Sequence, residues 1–378
     1  MENIKRENLK FFINRHISQL LYAQDLTNVS PLFPVRLYVE PTNACNLRCI
    51  HCHHNNIKST FKRKLGVMDF ELFKKVIDEI RDRHCEISLN AQGEPLLHKD
   101  IVKMVEYCTR SNVYVSLLTN ATLLSEDISK QLVSLGLNRI VFSFDSIDKN
   151  EFEKIRVNAK FEPVLLNILR FLKINEESGH GTFVCCSAVI QDNNADSMGR
   201  YDEYFYSLAI DTVFHSSLLN LSGNSGVSEE IDIESKRKMY TKENFPICRV
   251  PWEMMTVNWD GEVSACGLDF NVLHSIGNVK DLSLLELWNS EKIQIFRRAH
   301  LDGNYDLIEK RGYLCSRCNC LYDEEYDARN YKLFIENDLL RKFDQYGVSA
   351  KKTKAPLDKI KYKRLLEEIE RLKVLCQG

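Results

Sequence analysis

Apolar positions along this chain recur with two alternating periods. Val35 to Val39 is a short apolar run of strand length, which reads as a buried strand. Asp69 to Arg81 then carries helix spacing, Glu86 to Asn90 strand character, and Asp100 to Thr109 helix spacing again. The alternation continues through a strand at Tyr114 to Thr119, a helix at Glu126 to Leu135 and a strand at Arg139 to Ser143. A helix over roughly Phe161 to Glu176 and a strand over Thr182 to Ile190 follow. One further helix leads to a strand at Thr212 to Phe214. Six such β/α units predict a parallel sheet with short right-handed crossovers. They are fewer than the eight that close a full barrel. Ahead of them, Leu9, Phe12, Ile13, Ile17, Leu20 and Leu21 predict an amphipathic leading helix, with His16 on its apolar side as a packing residue.

The pattern changes after the sixth unit. A Ser/Gly-rich stretch from Leu221 to Gly226 and a charged stretch through Lys242 mark a boundary near 225 to 240. Beyond it, two short strands joined at Asp260-Gly261 predict a β-hairpin. The chain from Leu321 is rich in Glu, Lys and Tyr, with a linker at Gly347 to Pro356. Tyr362, Leu365, Leu366, Ile369 and Leu372 form a helical stripe too short for a coiled coil. Docking on its own domain is the expectation, with a partner or dimer contact as the alternative. The predicted organisation is an N-terminal helix (1–34), a β/α domain (35–225), a smaller domain (240–325) and a helical tail (326–378).

Composition narrows the class. A chain of 378 residues with 44% hydrophobic and 28% charged residues suits a globular protein with room for two domains. A net charge of −2 without a basic stripe argues against nucleic acid as the main partner. No apolar h-region follows the N-terminus and no apolar run is long enough to cross a bilayer. The expected setting is cytoplasmic, with no membrane partner. Thirteen cysteines in such a chain point to metal or redox chemistry rather than structural disulfides.

Cys45, Cys49 and Cys52 stand at C-x3-C-x2-C spacing directly after the first strand. The carboxyl ends of strands are where β/α folds collect their chemistry. Three close thiolates suit an iron–sulfur cluster, and three ligands leave one iron of a four-iron cluster open. Zinc, with His51, His53 or His54 as fourth ligand, is the alternative on this segment. The segment resembles the signature of the radical S-adenosylmethionine (SAM) enzymes. That resemblance implies an open, partial (β/α)6 barrel. It also implies a 4Fe-4S cluster whose open iron chelates SAM, and cleavage of SAM to methionine and a 5′-deoxyadenosyl radical.

The same resemblance assigns residues at the strand ends. Gln92-Gly93-Glu94-Pro95 stands where similar enzymes carry Gly-Gly-Glu, so Glu94 is expected at the SAM amino group and Gln92 is a departure. Thr119 and Asn120, and Ser143 and Asp145, resemble positions near the SAM ribose and methionine; all four also suit helix N-caps. Arg156 resembles the base that meets the SAM carboxylate, with a solvated helix charge as the plain alternative. Val189-Ile190-Gln191 resembles the edge that packs the adenine, or an ordinary strand end.

A second cysteine set comprises Cys248, Cys266, Cys315, Cys318 and Cys320. With Ile276-Gly277-Asn278 and Leu285-Glu286-Leu287-Trp288, it resembles the SPASM/twitch extension of radical SAM enzymes. Glu324 stands where a full SPASM domain would place its next cysteine. The resemblance therefore implies one auxiliary 4Fe-4S cluster, held by Cys248, Cys266, Cys315 and Cys318; a structural zinc on the same four is the alternative. Cys320 is surplus: a substitute ligand for Cys318, a bystander, or a catalytic hydrogen-atom donor. Cys185 and Cys186 adjoin on one strand, so only one faces the interior, where it is expected to act as a buried hydrophobe. Cys85, Cys108 and Cys376 carry no assignment.

The implied activity is hydrogen abstraction from a small polar substrate of the sugar or aminocyclitol type, ending in oxidation or epimerisation. An electron donor such as flavodoxin or ferredoxin is the expected partner. A ribosomally made peptide is the alternative substrate; the stretch before Val35 is too short for the leader-binding domain that peptide maturases often carry. A zinc-binding scaffold is the alternative from another class.

Overall fold

The computed structural model describes residues 33–54, 61–81, 83, 85–208, 210–219, 238, 240–241, 245–304, 315, 318–322, 327–328 and 359–377. The predicted leading helix, the Ser/Gly-rich linker at 221–226, Glu324 and the linker at 347–356 lie outside them.

Six parallel strands run side by side in chain order: β1 (Arg36–Val39), β2 (Glu86–Leu89), β3 (Val115–Thr119), β4 (Arg139–Ser143), β5 (Phe183–Ile190) and β6 (Thr212–Ser217). Among the described residues β6 pairs only with β5, so the barrel is open, as the six-unit pattern predicts. The other edge of β1 is taken by β7 (Met254–Val257), in parallel, with Arg36 opposite Met254. β8 (Glu262–Ser264) and β9 (Ser275–Asn278) continue the sheet antiparallel. The hairpin expected to open a separate C-terminal domain therefore extends the barrel's own sheet to nine strands. Its turn uses Gly261 at φ +91°, a conformation that glycine adopts without strain.

Strand side chains alternate between a helix-covered face and the barrel interior. Leu37, Val39, Ile87, Leu89, Leu117, Phe142 and Cys186 join the main core. Tyr38, Asn90, Leu118, Ser143, Ser187 and Thr256, of the other parity, line the interior cavity. At the amino ends of the strands the interior is closed by charge. Glu86 accepts from Arg36 at 3.2 Å and lies 3.8 Å from Arg139. Cys185 is the inward member of its pair, and Arg139 Nε lies 3.4 Å from its Sγ. This corrects the expectation of a plain buried hydrophobe.

The helices follow their apolar spacing. In α1 (Phe70–Ile80) the buried residues are Phe73, Val76, Ile77 and Ile80, one face of a 3.6-residue period. Asp69 caps it, accepting from the amides of Glu71 and Leu72 at 2.9 and 3.2 Å. Such a cap stabilises a helix by about 1 kcal/mol. α2 (Ile101–Arg110), α3 (Glu126–Ser134), α5 (Phe161–Glu177) and α6 (Met198–Tyr206) fall where the pattern places them. α4 (Lys149–Ile155) was not expected from periodicity; it is one short element capped by Asp148. α7 (Val250–Glu253), α8 (Leu284–Trp288) and α9 (Glu291–Leu301) pack around the hairpin side of the sheet. The tail helix α10 (Lys359–Gln377) docks on its own domain. Leu365, Ile369 and Leu372 are buried, and Tyr362 Oη donates to Glu177 of α5 at 2.9 Å.

Candidate active site

A cavity of about 510 Å³ opens at the carboxyl ends of the strands. Cys45, Cys49 and Cys52 line it, and so do Cys248, Cys266, Cys315, Cys318 and Cys320. Both cysteine sets thus share one wall system, although about 200 residues of sequence separate them.

The first set sits on the loop leaving β1. That loop is pinned on one side by the end of α4 and the turn after it: the amides of Arg48 and Ile50 donate, each at 3.0 Å, to the carbonyls of Val157 and Ile155. On another side Asn43 accepts from the Gly66 amide and donates to the Lys64 carbonyl, both at 2.8 Å. Gly93 presses against it so closely that a Cβ there would lie 2.3 and 2.5 Å from the carbonyl oxygens of Thr42 and Ala44. Only glycine fits that approach.

Burial pushes all three thiols up, Cys52 to about 12, and Cys49 and Cys45 add to the effect on Cys52. Such thiols ionise only when positive charge offsets the cost. One source is already present. Arg156 is 7% exposed, with Nη1 3.9 Å from Cys49 Sγ. A bound iron core is a larger one, so a soft sulfur triad at the wall of a largely apolar cavity fits an iron–sulfur group. Among the described residues no three His, Cys, Asp or Glu side chains gather as ligands of a single metal ion.

Arg156 is anchored by Asp145, to whose Oδ2 its Nε donates at 2.7 Å. Asp145 Oδ1 accepts from the Val189 amide at 2.8 Å, so this carboxylate ties α4's end to β5. Burial works against the guanidinium's charge, but Asp145 and Cys49 hold its pKa above the usual value. Glu94 accepts three hydrogen bonds. Thr119 Oγ1 donates to it at 2.7 Å, the Asn120 amide at 2.8 Å and the Leu96 amide at 3.0 Å. Burial still raises its pKa, against the pull of those three donors.

Of the residues singled out from sequence, Glu94, Asn120, Ser143, Asp145 and Arg156 line the cavity. Thr119 does not; its hydroxyl is buried behind Glu94 and accepts from the Ala121 amide at 3.0 Å. Gln191 does not either; its amide lies 3.2 Å from His51 Nδ1. The helices that follow are capped by Ser125 and Asp148, so the N-cap alternative for Thr119, Asn120, Ser143 and Asp145 falls away.

In the second set the thiols influence one another throughout. Burial raises Cys266 to about 12, with Cys318 adding to the rise. Burial and then Cys266 raise Cys248, and Cys315 feels burial first and then Cys318, Cys266 and Cys248. Cys320 is raised first by a hydrogen bond with Cys318 and then by burial. It is therefore a fifth thiol of this group. The three histidines beside the first set have their own roles. Burial lowers His51 to about 4 and His53 to about 3, keeping both neutral. His54 Nε2 lies 2.6 Å from the Gln92 carbonyl, and His53 stacks on Phe270 at 4.7 Å.

Sequence reasoning missed Tyr38, Asn90, Ser187, Ser216 and Thr256 as cavity residues. Their signal was parity: each stands on a strand, or just past its end, at an inward position.

Comparison with known proteins agrees with this geometry. The sequence model of the Radical SAM superfamily matches residues 39–185, and that of an iron-sulfur cluster-binding domain, SPASM, matches residues 248–319. A tungsten-containing aldehyde ferredoxin oxidoreductase cofactor-modifying protein of Pyrococcus furiosus is 25% identical over 301 residues, covering 69% of this chain and 82% of the relative. The S-adenosyl-L-methionine-dependent 2-deoxy-scyllo-inosamine dehydrogenase of Niallia circulans is 24% identical over 300 residues, covering 76% and 95%. The structure of anSMEcpe with bound AdoMet shares the fold at a TM-score of 0.55 and 17% identity, over 90% of this chain and all (100%) of that one. No helix among the described residues is long and apolar enough to cross a membrane. With a cysteine triad after β1, a second cysteine group on the extended sheet and a family match on each, the chain belongs to the radical SAM superfamily, with an iron–sulfur cluster-binding SPASM-type C-terminal domain.

Proposed function

We propose that this enzyme abstracts a hydrogen atom from a small, hydroxyl-bearing substrate of the sugar or aminocyclitol type and carries it to a two-electron oxidised product. The observation that supports this reading is the chemistry of the shared cavity. Its charged groups beside the first cysteine set are held by protein partners: Glu94 by the Thr119 hydroxyl and the Asn120 amide, Arg156 by Asp145. The other polar lining is uncharged: it includes Tyr38, Asn90, Gln92, Ser187, Ser216 and Thr256 and the histidines His51, His53 and His54, whose pKa values burial lowers, set among apolar side chains such as Leu118, Val189 and Phe214. Such a wall recognises hydroxyl groups by hydrogen bonding, with the charges of Glu94 and Arg156 left to the amino-acid end of SAM. The dehydrogenase relative from Niallia circulans, whose name specifies an aminocyclitol, supports the same class.

In this reading Cys45, Cys49 and Cys52 hold the first 4Fe-4S cluster, and Cys248, Cys266, Cys315 and Cys318 hold an auxiliary one. Glu94, Asn120, Ser143, Asp145 and Arg156 seat SAM. When bound, these groups supply one-electron cleavage of SAM, a carbon radical that removes one hydrogen atom, and an acceptor for the remaining electron. The protein's part is positioning. Asp145 fixes the Arg156 guanidinium beside the first set through its Nε, leaving the other N–H groups to meet a carboxylate. Glu94, held by three donors, keeps one oxygen edge for an ammonium. Oxidation needs no hydrogen-atom donor; the alternative, epimerisation, does, and Cys320 on the same wall would serve it. A flavodoxin- or ferredoxin-type protein supplies the electron.

The test is label transfer. Reconstituted enzyme is incubated with SAM, a reductant and deuterated candidates, and 5′-deoxyadenosine is examined for deuterium. Deuterium from a sugar or aminocyclitol carbinol position, with the ketone as product, is the expected result. Transfer only from a peptide would overturn the substrate class.

A further inference from the structure

We propose that Gln92 is a positioning residue that clamps the loop carrying Cys266 onto the loop carrying Cys45, Cys49 and Cys52. It would thereby set how the two cysteine sets face each other across the cavity. The inference rests on reading the second set as an auxiliary-cluster site.

Contacts on both sides of Gln92 carry it. Its side-chain Nε2 donates to the carbonyl of Gly267, the residue after Cys266, at 2.9 Å. Its own carbonyl lies 2.6 Å from His54 Nε2, two residues past Cys52. The next two residues meet the same cysteine loop. Gly93 packs on the carbonyls of Thr42 and Ala44, and the Glu94 amide donates to Ala44 at 2.9 Å. A carbonyl only accepts, so the amide end of Gln92 facing Gly267 must be its NH2 group. The ring stack of His53 on Phe270 joins the same two loops, with planes 6° apart. Stacked rings slide past one another at little cost, whereas a hydrogen bond to a backbone carbonyl fixes register. Position 92 is also where the chain departs from the Gly-Gly-Glu pattern it resembles. A glycine there would retain the backbone contact with His54 and lose the tether to Gly267. Groups that act on one bound substrate need placement to within about 0.5 Å, and such a tether contributes to it.

The amides of Leu268 and Asp269 report on the clamp, because they donate to Cys266 Sγ at 3.4 Å and to its carbonyl at 3.2 Å. In the cluster-loaded protein, Gln92→Gly removes the tether. Gln92→Glu keeps the side chain's length but turns a carboxylate towards the Gly267 carbonyl. Both should raise hydrogen exchange at Leu268 and Asp269 about tenfold, with exchange in β2 and β3 unchanged as the folding control. Both should also raise the SAM cleaved per product formed, with little change in SAM affinity. Unchanged exchange at the two amides in both variants overturns the clamp. Raised exchange in protein that binds no second cluster upholds the clamp and removes instead the reading that gives it catalytic meaning.

Discussion

Arg156 Nε donates to Asp145 Oδ2 at 2.7 Å while Nη1 of the same guanidinium reaches to 3.9 Å from Cys49 Sγ. One side chain therefore joins a buried ion pair to the first cysteine loop. Truncating it strands the Asp145 charge in the interior, which costs about 3–5 kcal/mol. Arg156→Gln should lower the urea midpoint accordingly and weaken SAM binding by more than tenfold. Arg156→Lys should recover part of the stability but not the binding, since one ammonium cannot serve both partners as a planar fork does. Calorimetric titration with SAM checks the second statement.

Gly93 lies where any Cβ would strike the backbone of the cysteine loop. Gly93→Ala should displace that loop and halve the iron content, with the loss confined to the first cluster. Iron and sulfide analysis together with absorbance of the remaining cluster measure this.

Glu94→Gln replaces one acceptor oxygen by a donor amide among three donors. The clash of like groups should cost about 1–3 kcal/mol. SAM affinity should fall further than in Thr119→Val, which removes one donor to Glu94 at a residue that does not itself line the cavity. Parallel binding titrations of the two variants decide it.

Away from the site, His180 is held between Glu176 and Asp211, with Nε2 2.9 Å from Asp211 Oδ1. Burial lowers its pKa, but the hydrogen bonds and charges of the two carboxylates outweigh it and raise it to about 9. A raised folded pKa means that the pair stabilises fully below the ordinary value near 6.5. That contribution, on the order of 2–3 kcal/mol, is lost as pH rises from about 6.5 through 9. Urea midpoints at pH 6 and pH 9.5 should therefore differ in the wild type by more than in His180→Ala.

The alternation of periods made the six β/α units legible, because the strands from β2 to β5 are largely buried and each helix buries one face. The cysteine spacing made the first loop legible for a similar reason: three soft ligands within eight residues leave little else to do. What stayed hidden was non-local. Nothing in the segment Met254–Val257 announces that β7 pairs with β1, since edge pairing depends on which strand is left open. α4 is too short to show a period, and its signal is the Asp148 cap alone. Thr119 looked like a ligand contact because it ends a strand; only the fold shows its hydroxyl spent on Glu94. Cys185 looked apolar because its partner Arg139 lies on the neighbouring strand.

The central claim is that Cys45, Cys49 and Cys52 hold a cluster with one iron left for SAM. Electron paramagnetic resonance of the anaerobically reconstituted, reduced protein tests it most directly, with and without SAM, in the wild type and in the Cys45, Cys49 and Cys52 triple alanine variant. The account predicts that SAM alters one of two overlapping cluster signals in the wild type, and that this signal is missing from the variant while the other remains. A wild-type spectrum indifferent to SAM, or a SAM-sensitive signal that survives the triple change, would contradict it.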